Sequence, residues 1–132
     1  MRVREFLLVG VIFMATGIMF GAFGAHSLKL SLDENSLEAF KTGVHYQLIH
    51  GVALLVLAVI ARHDQRIDKL SGRLVWVGTI FFSGSLYLLA MKKLLQIEAF
   101  ANVLGPITPI GGSLMILGWL IFLYRVIRSK SV

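Results

Sequence analysis

The sequence predicts an all-α fold, an integral membrane four-helix bundle forming one domain over residues 1–132. Three observations predict it. Four stretches carry no Asp, Glu, Lys or Arg: Phe6 to Leu28, Thr42 to Ala61, Leu74 to Met91 and Ala99 to Tyr124. Crossing a hydrocarbon layer about 30 Å thick takes roughly 20 apolar residues, and each stretch meets that length. The chain is 57% hydrophobic with mean hydropathy +0.81, more apolar than ordinary soluble domains. Finally, the charges gather in short segments between the stretches. The expected spans are about 6–27, 43–62, 74–92 and 103–124, which leaves no room for a separate soluble domain.

Span one could be read as a secretory signal, because Arg2 and Arg4 precede it and Ala22-Phe23-Gly24 has small residues at cleavage offsets. Its apolar run is about twice the 7 to 15 residues of a signal core, so a retained helix is expected. Its small residues Gly17, Gly21 and Gly24 fall at helical spacing and permit close backbone approach. They are expected to pack on Gly84 of span three or on Gly111 and Gly112 of span four. Homo-oligomer contact is the lesser reading.

The connection before span two carries Ser31, Asp33 and Glu34, which can cap a helix beginning near Glu34. That helix should run on through Gly43 as one unit with span two. Its first turns are amphipathic, with Leu37 and Phe40 on one side and Glu38 and Lys41 elsewhere.

Basic residues set the orientation. Arg2, Arg4, Arg62, Arg66, Lys69, Arg73, Arg125, Arg128 and Lys130 share one side, nine in all, against Lys29, Lys41, Lys92 and Lys93 on the other. The positive-inside rule places both termini in the cytoplasm. Trp76, Trp119 and Tyr124 fall near that boundary and Tyr46 near the other, where amphipathic rings anchor. The formal net charge of +6 is read as attraction to anionic lipid headgroups, with no nucleic-acid partner.

With this orientation the unusual residues gather in the outer half of the bilayer. Gly43, Gln47 and His50 share one face of span two, at spacings of four and three. His45 lies about 140° around the helix from His50. An imidazole in hydrocarbon needs a partner, since an unsatisfied polar group costs several kcal/mol. Ser83, Ser85, Thr108 or a carbonyl freed near Pro109 are the expected partners of His50. In span four, Pro106 and Pro109 each remove a donor and disfavour helix in the residue before. A regular helix is therefore expected to start only around Pro109, with the outer end of span four broken or kinked.

The chain has no cysteine, which excludes thiol chemistry and disulfides. No Asp or Glu lies inside a span, and no His-Glu-x-x-His, phosphate-binding loop or nucleophile elbow is present. These absences disfavour an enzyme, a catalytic metal centre and a carboxylate-driven exporter. The cofactor is left unknown by the sequence. The candidate ligand-binding residues are His26, His45, Gln47, His50, Ser83, Ser85 and Thr108. The ligand could be a metal ion through imidazole, a proton, or a lipid or quinone headgroup. The alternative is a structural or accessory subunit of a larger membrane assembly. A dual-topology dimeric channel would need nearly balanced basic loops, and nine against four argues against it.

Several strings together carry a family resemblance: Gly21-Ala22-Phe23-Gly24-Ala25-His26, Thr42-Gly43-Val44-His45-Tyr46-Gln47-Leu48-Ile49-His50, Phe82-Ser83-Gly84-Ser85-Leu86-Tyr87, Gly105-Pro106-Ile107-Thr108-Pro109-Ile110-Gly111-Gly112 and Gly118-Trp119. In this order they resemble the YgdD-like small inner-membrane proteins, domain-of-unknown-function family 423. The resemblance runs through all four spans. It implies four transmembrane helices in a bacterial plasma membrane, and it implies no activity.

Overall fold

The computed structural model describes residues 2–63 and 69–128. Arg66 and Lys130, counted in the charge balance above, lie outside the described residues. Among the described residues there are four helices: α1 (Arg2–His26), α2 (Glu34–His63), α3 (Lys69–Ala90) and α4 (Ala101–Arg128). At 1.5 Å per residue they run roughly 33 to 45 Å, enough to cross a bilayer. All four are apolar enough as well as long enough to do so. Single 3-10 turns, Leu28–Leu30 and Glu98–Phe100, lie in two of the connections, and no strand occurs among the described residues.

Each helix packs on its sequence neighbour, α1 on α2, α2 on α3 and α3 on α4, while α1 meets α3 only narrowly. The central pair α2 and α3 is therefore flanked by α1 and α4. Two apolar clusters hold the bundle. Phe6, Phe13, Leu54, Leu57, Ala58 and Val75 form one toward the end with the chain termini. Leu28, Phe40, Val44, Tyr87 and Ala90 form the other, at the end with the α1–α2 and α3–α4 connections. The buried polar residues Gln47, His50, Thr79 and Ser83 fall between these clusters. Outward-facing residues such as Ile18, Met19, Val59 and Ile116 are exposed and apolar, as a lipid-facing surface requires.

The start of α2 follows its sequence signals. The Asp33 carboxylate accepts hydrogen bonds from the Ser36 N–H (3.0 Å) and the Ser36 hydroxyl (2.9 Å). These bonds satisfy one of the free donors of the first turn, and they hold the Asp33 carboxyl below the usual carboxylate range. Phe40 is buried and Leu37 half-buried, while Glu38 and Lys41 pair at 3.0 Å on the exposed side. The α3–α4 connection closes by turns. Ile97 N–H donates to the Lys92 carbonyl at 2.9 Å, with Gln96 between them at φ 55°, the left-handed position that such a terminating turn needs.

Two sequence expectations are corrected here. The Gly17, Gly21 and Gly24 stripe packs on α2, not on Gly84, Gly111 or Gly112. A Cβ on Gly17 would stand 2.7 Å from Leu48, and one on Gly24 would stand 3.0 Å from Phe40. A short connection makes α1 and α2 antiparallel neighbours, so the stripe meets the helix that follows it. The closest backbone approach instead joins α3 to α4 through Gly78, Gly111 and Gly118. A Cβ on Gly78 would lie 2.7 Å from both the Gly111 carbonyl oxygen and the Met115 nitrogen, and one on Gly118 would lie 2.8 Å from the Ser71 carbonyl oxygen. Gly111 in turn sits against the Phe82 backbone nitrogen.

The second correction concerns α4, which is helical from Ala101, through Pro106 and Pro109, to Arg128. The residues four before the prolines, Asn102 and Gly105, lie in its first two turns. Local preference against helix before proline yields there to the demand that backbone at membrane depth be hydrogen-bonded within its own segment. The N-terminus of α4 consequently lies at the connection end, without a helix start buried around Pro109.

Candidate functional site

The seven predicted polar residues resolve into three separate links, two exposed histidines and Ser83, which joins no link. Gln47, 6% exposed, is the hub of the first link. Its Nε2 donates to the Phe13 carbonyl at 3.0 Å and to the Thr16 hydroxyl at 2.7 Å, and its Oε1 accepts from the Tyr87 hydroxyl at 2.7 Å. Both amide hydrogens are thereby used. Thr16 passes its own proton to the Ile12 carbonyl at 2.7 Å. One side chain of α2 thus ties α1 to α3.

His50 forms the second link. Its Nδ1 lies 2.8 Å from the Tyr46 carbonyl, and the Trp119 indole N–H donates to its Nε2 at 3.3 Å. A carbonyl can only accept and an indole N–H can only donate. The pair therefore fixes a neutral ring protonated on Nδ1, with neither nitrogen left for a metal. The reach from Trp119 follows from helix geometry, since side chains lean toward the helix N-terminus and cover the preceding turn. The expected partners Ser83, Ser85 and Thr108 form no hydrogen bond with His50.

Ser85 and Thr108 form the third link, α3 to α4, with their hydroxyls 2.7 Å apart and Ser85 also 2.9 Å from the Phe82 carbonyl. His26 and His45 are both exposed and join none of these links. Among the described residues no three His, Asp or Glu side chains converge.

Ser83 stands apart. It is 2% exposed, and its hydroxyl has no hydrogen-bond partner. It lines a cavity of about 240 Å³ between α1 and α3, backed by Gln47 of α2. At the termini end α1 and α3 are clamped together. Phe6 sits on Gly72, and Arg73 grips the Glu5 carboxylate with two bonds of 2.8 and 3.0 Å. Toward the connection end the Phe20 and Tyr87 rings meet at 5.0 Å. The cavity lies between these two contacts. At its mouth Ile12 and Ile80 are exposed toward the bilayer. A Cβ on Gly84 would meet nothing within 4 Å, so that glycine borders open space.

Sequence reasoning placed Gln47 and Ser83 correctly in one neighbourhood but missed Thr16, Tyr87 and Trp119 as partners. Trp119 was expected as a boundary anchor. It is half-buried and bonded to His50. A signal for Tyr87 was available, since it lies four residues after Ser83 and so shares its face.

A protein-family model described as "Protein of unknown function (DUF423)" matches residues 20–112. The chain belongs to this family. The match runs across Gln47, His50, Ser83 and Thr108. Among the relatives, a UPF0382 membrane protein of Staphylococcus haemolyticus is 36% identical over 125 residues, 95% of this chain and 97% of its own. The UPF0382 membrane protein of Haemophilus influenzae is 38% identical over 115 residues, 87% of each chain. The UPF0382 membrane protein YwdK of Bacillus subtilis is 32% identical over 133 residues, 95% of this chain and 98% of its own. No solved structure matches. Four spanning helices and relatives named as bacterial membrane proteins make this DUF423 chain a multi-pass protein of the bacterial plasma membrane.

The His50–Trp119 contact joins α2 to α4, two helices that are not sequence neighbours. Trp119→Phe keeps an aromatic ring and removes the donor, and it should lower stability by about 1 kcal/mol, within the range for membrane hydrogen bonds. His50→Leu added to Trp119→Phe should cost less than the sum of the two single changes. Unfolding in mixed detergent micelles gives the cycle, and strict additivity would show that the two rings do not interact.

Proposed function

We propose that this protein is a non-enzymatic membrane binding module, whose site is the cavity between α1 and α3 and not the full set of predicted polar residues. One observation carries the reading. Of the predicted polar residues that are buried, only Ser83 lacks a partner, and it lines that cavity. Gln47, His50, Ser85 and Thr108 are occupied in joining helices. Buried polar groups are normally satisfied, so an unsatisfied hydroxyl beside open space favours a ligand that completes it. Gly84→Leu would add a side chain at the cavity wall, and it alters none of the residues that form the three links. It should remove the rise in melting temperature that total bacterial lipid extract gives the wild-type protein in detergent. An unchanged rise in Gly84→Leu would defeat the assignment.

The completed hydrogen bonds of Gln47 favour a second reading, a structural or accessory subunit, alone or as a homo-oligomer, with no ligand of its own. On that reading the lipid extract raises the melting temperatures of wild type and Gly84→Leu by the same amount.

The same proposal includes an orientation with both termini in the cytoplasm, supported by nine basic residues against four, as the positive-inside rule reads them. A C-terminal fusion to a reporter that fluoresces only in the cytoplasm should glow. A C-terminal alkaline phosphatase fusion active in the periplasm would reverse the orientation.

A further inference from the structure

The cavity's chemistry narrows what it can hold. None of the residues lining it carries a charge, so nothing there could stabilise an ionised group in a low-dielectric setting. Its hydrogen-bonding capacity is also unequal. The protons of Gln47, Thr16, Tyr87 and Thr79 are already given to protein acceptors, which leaves the Ser83 O–H as the free donor. Lone pairs remain on Ser83, Tyr87 and Gln47. The rest of the wall is aliphatic and aromatic, with Ile12, Phe20 and Ile80 around the mouth.

Depth adds a further restriction. Ser83 is seven residues before the end of α3 at Ala90, roughly 10 Å down the helix. A phospholipid keeps its charged headgroup and ester carbonyls at the interface, and it could present only featureless chain at this level. The volume of about 240 Å³ is smaller than the 300 to 1,000 Å³ or so of a site for a drug-sized molecule. It suits part of a longer ligand that enters sideways between α1 and α3.

We infer that the cavity takes a neutral lipid-like molecule, an apolar chain bearing one uncharged carbonyl or hydroxyl that accepts the Ser83 hydrogen bond. This rests on the cavity being the binding site, as proposed above, and specifies the ligand class. Three photoactivatable probes of equal chain length test it in nanodiscs of synthetic phosphatidylcholine: a diazirine fatty alcohol, a diazirine fatty acid held at high pH as the carboxylate, and a diazirine phosphatidylcholine. The fatty alcohol should label Ile12, Phe20 or Ile80 saturably. Gly84→Leu should abolish that labelling. Ser83→Ala, which removes only an unbonded hydroxyl and should fold, should weaken it about fivefold, the effect of one ordinary hydrogen bond. Cavity labelling by the carboxylate or the phosphatidylcholine at equal or higher affinity would overturn the ligand class and leave the site standing. Labelling that Gly84→Leu does not change, or no saturable labelling by any probe, would overturn the site and the ligand class together.

Discussion

Gly111→Leu is expected to push α3 and α4 apart and lower stability by about 3 kcal/mol, the upper end of the usual range for overpacking. The reason is that the neighbours of a Cβ at Gly111 are backbone: the Phe82 nitrogen, the Gly78 carbonyl oxygen and the Phe81 carbonyl carbon. A side chain can rotate away, whereas a packed helix backbone can move only as a body. Helix association in lipid depends on such close contact, because lipid tails are as apolar as leucine and there is little hydrophobic drive to compensate. Gly112 is the internal control. A Cβ there would meet only the Phe82 ring, at 3.7 Å, so Gly112→Leu should stay within about 1 kcal/mol of wild type. Equal melting temperatures for the two variants in detergent would refute the close α3–α4 contact.

Gln47→Leu is the second large change. It deletes three hydrogen bonds that tie α1, α2 and α3 together. At an average of about 0.6 kcal/mol per bond in a membrane protein, with some reaching about 1.7, the loss should be about 2 kcal/mol. Part of it comes from the Tyr87 hydroxyl, which would be left without an acceptor inside the bundle. Tyr87→Phe in the same chain removes that orphan, so the double variant should be more stable than the sum of the single changes implies. Equilibrium unfolding in mixed micelles measures all three. Simple additivity would mean that the Tyr87–Gln47 bond carries no energy.

What could be read from the sequence followed from demands the bilayer makes on any chain. A buried Lys or Glu in hydrocarbon is costly enough to keep charge out of a span, and each of the four helices contains most of one charge-free run. Local chemistry was legible too. Asp33 caps α2, and the turns that follow bury Phe40 while Glu38 and Lys41 stay outside. What was not legible required knowing which helix faces which. A helical wheel gives the direction of His50 around its own axis but not that Trp119, 69 residues away, lies there. The glycine stripe of α1 announced a close contact without naming its partner. Pro106 and Pro109 misled because their local preference was weighed alone, while backbone in lipid is held in helix by the lack of any other hydrogen-bond partner. Of the candidate site, Gln47 and Ser83 were read as neighbours, yet the cavity arises from the divergence of α1 and α3, which no pattern in one strand of sequence records.

The most direct measurement is an electron-microscopy map of the protein in a nanodisc of native lipid, made rigid by a bound antibody fragment. An elongated non-protein density between α1 and α3, ending against Ser83 and Gly84, with His50 contacting only Tyr46 and Trp119, is the predicted result. A map in which Ile12 and Ile80 close over Ser83 and leave no space, or in which the extra density sits on the His50 ring, would contradict it.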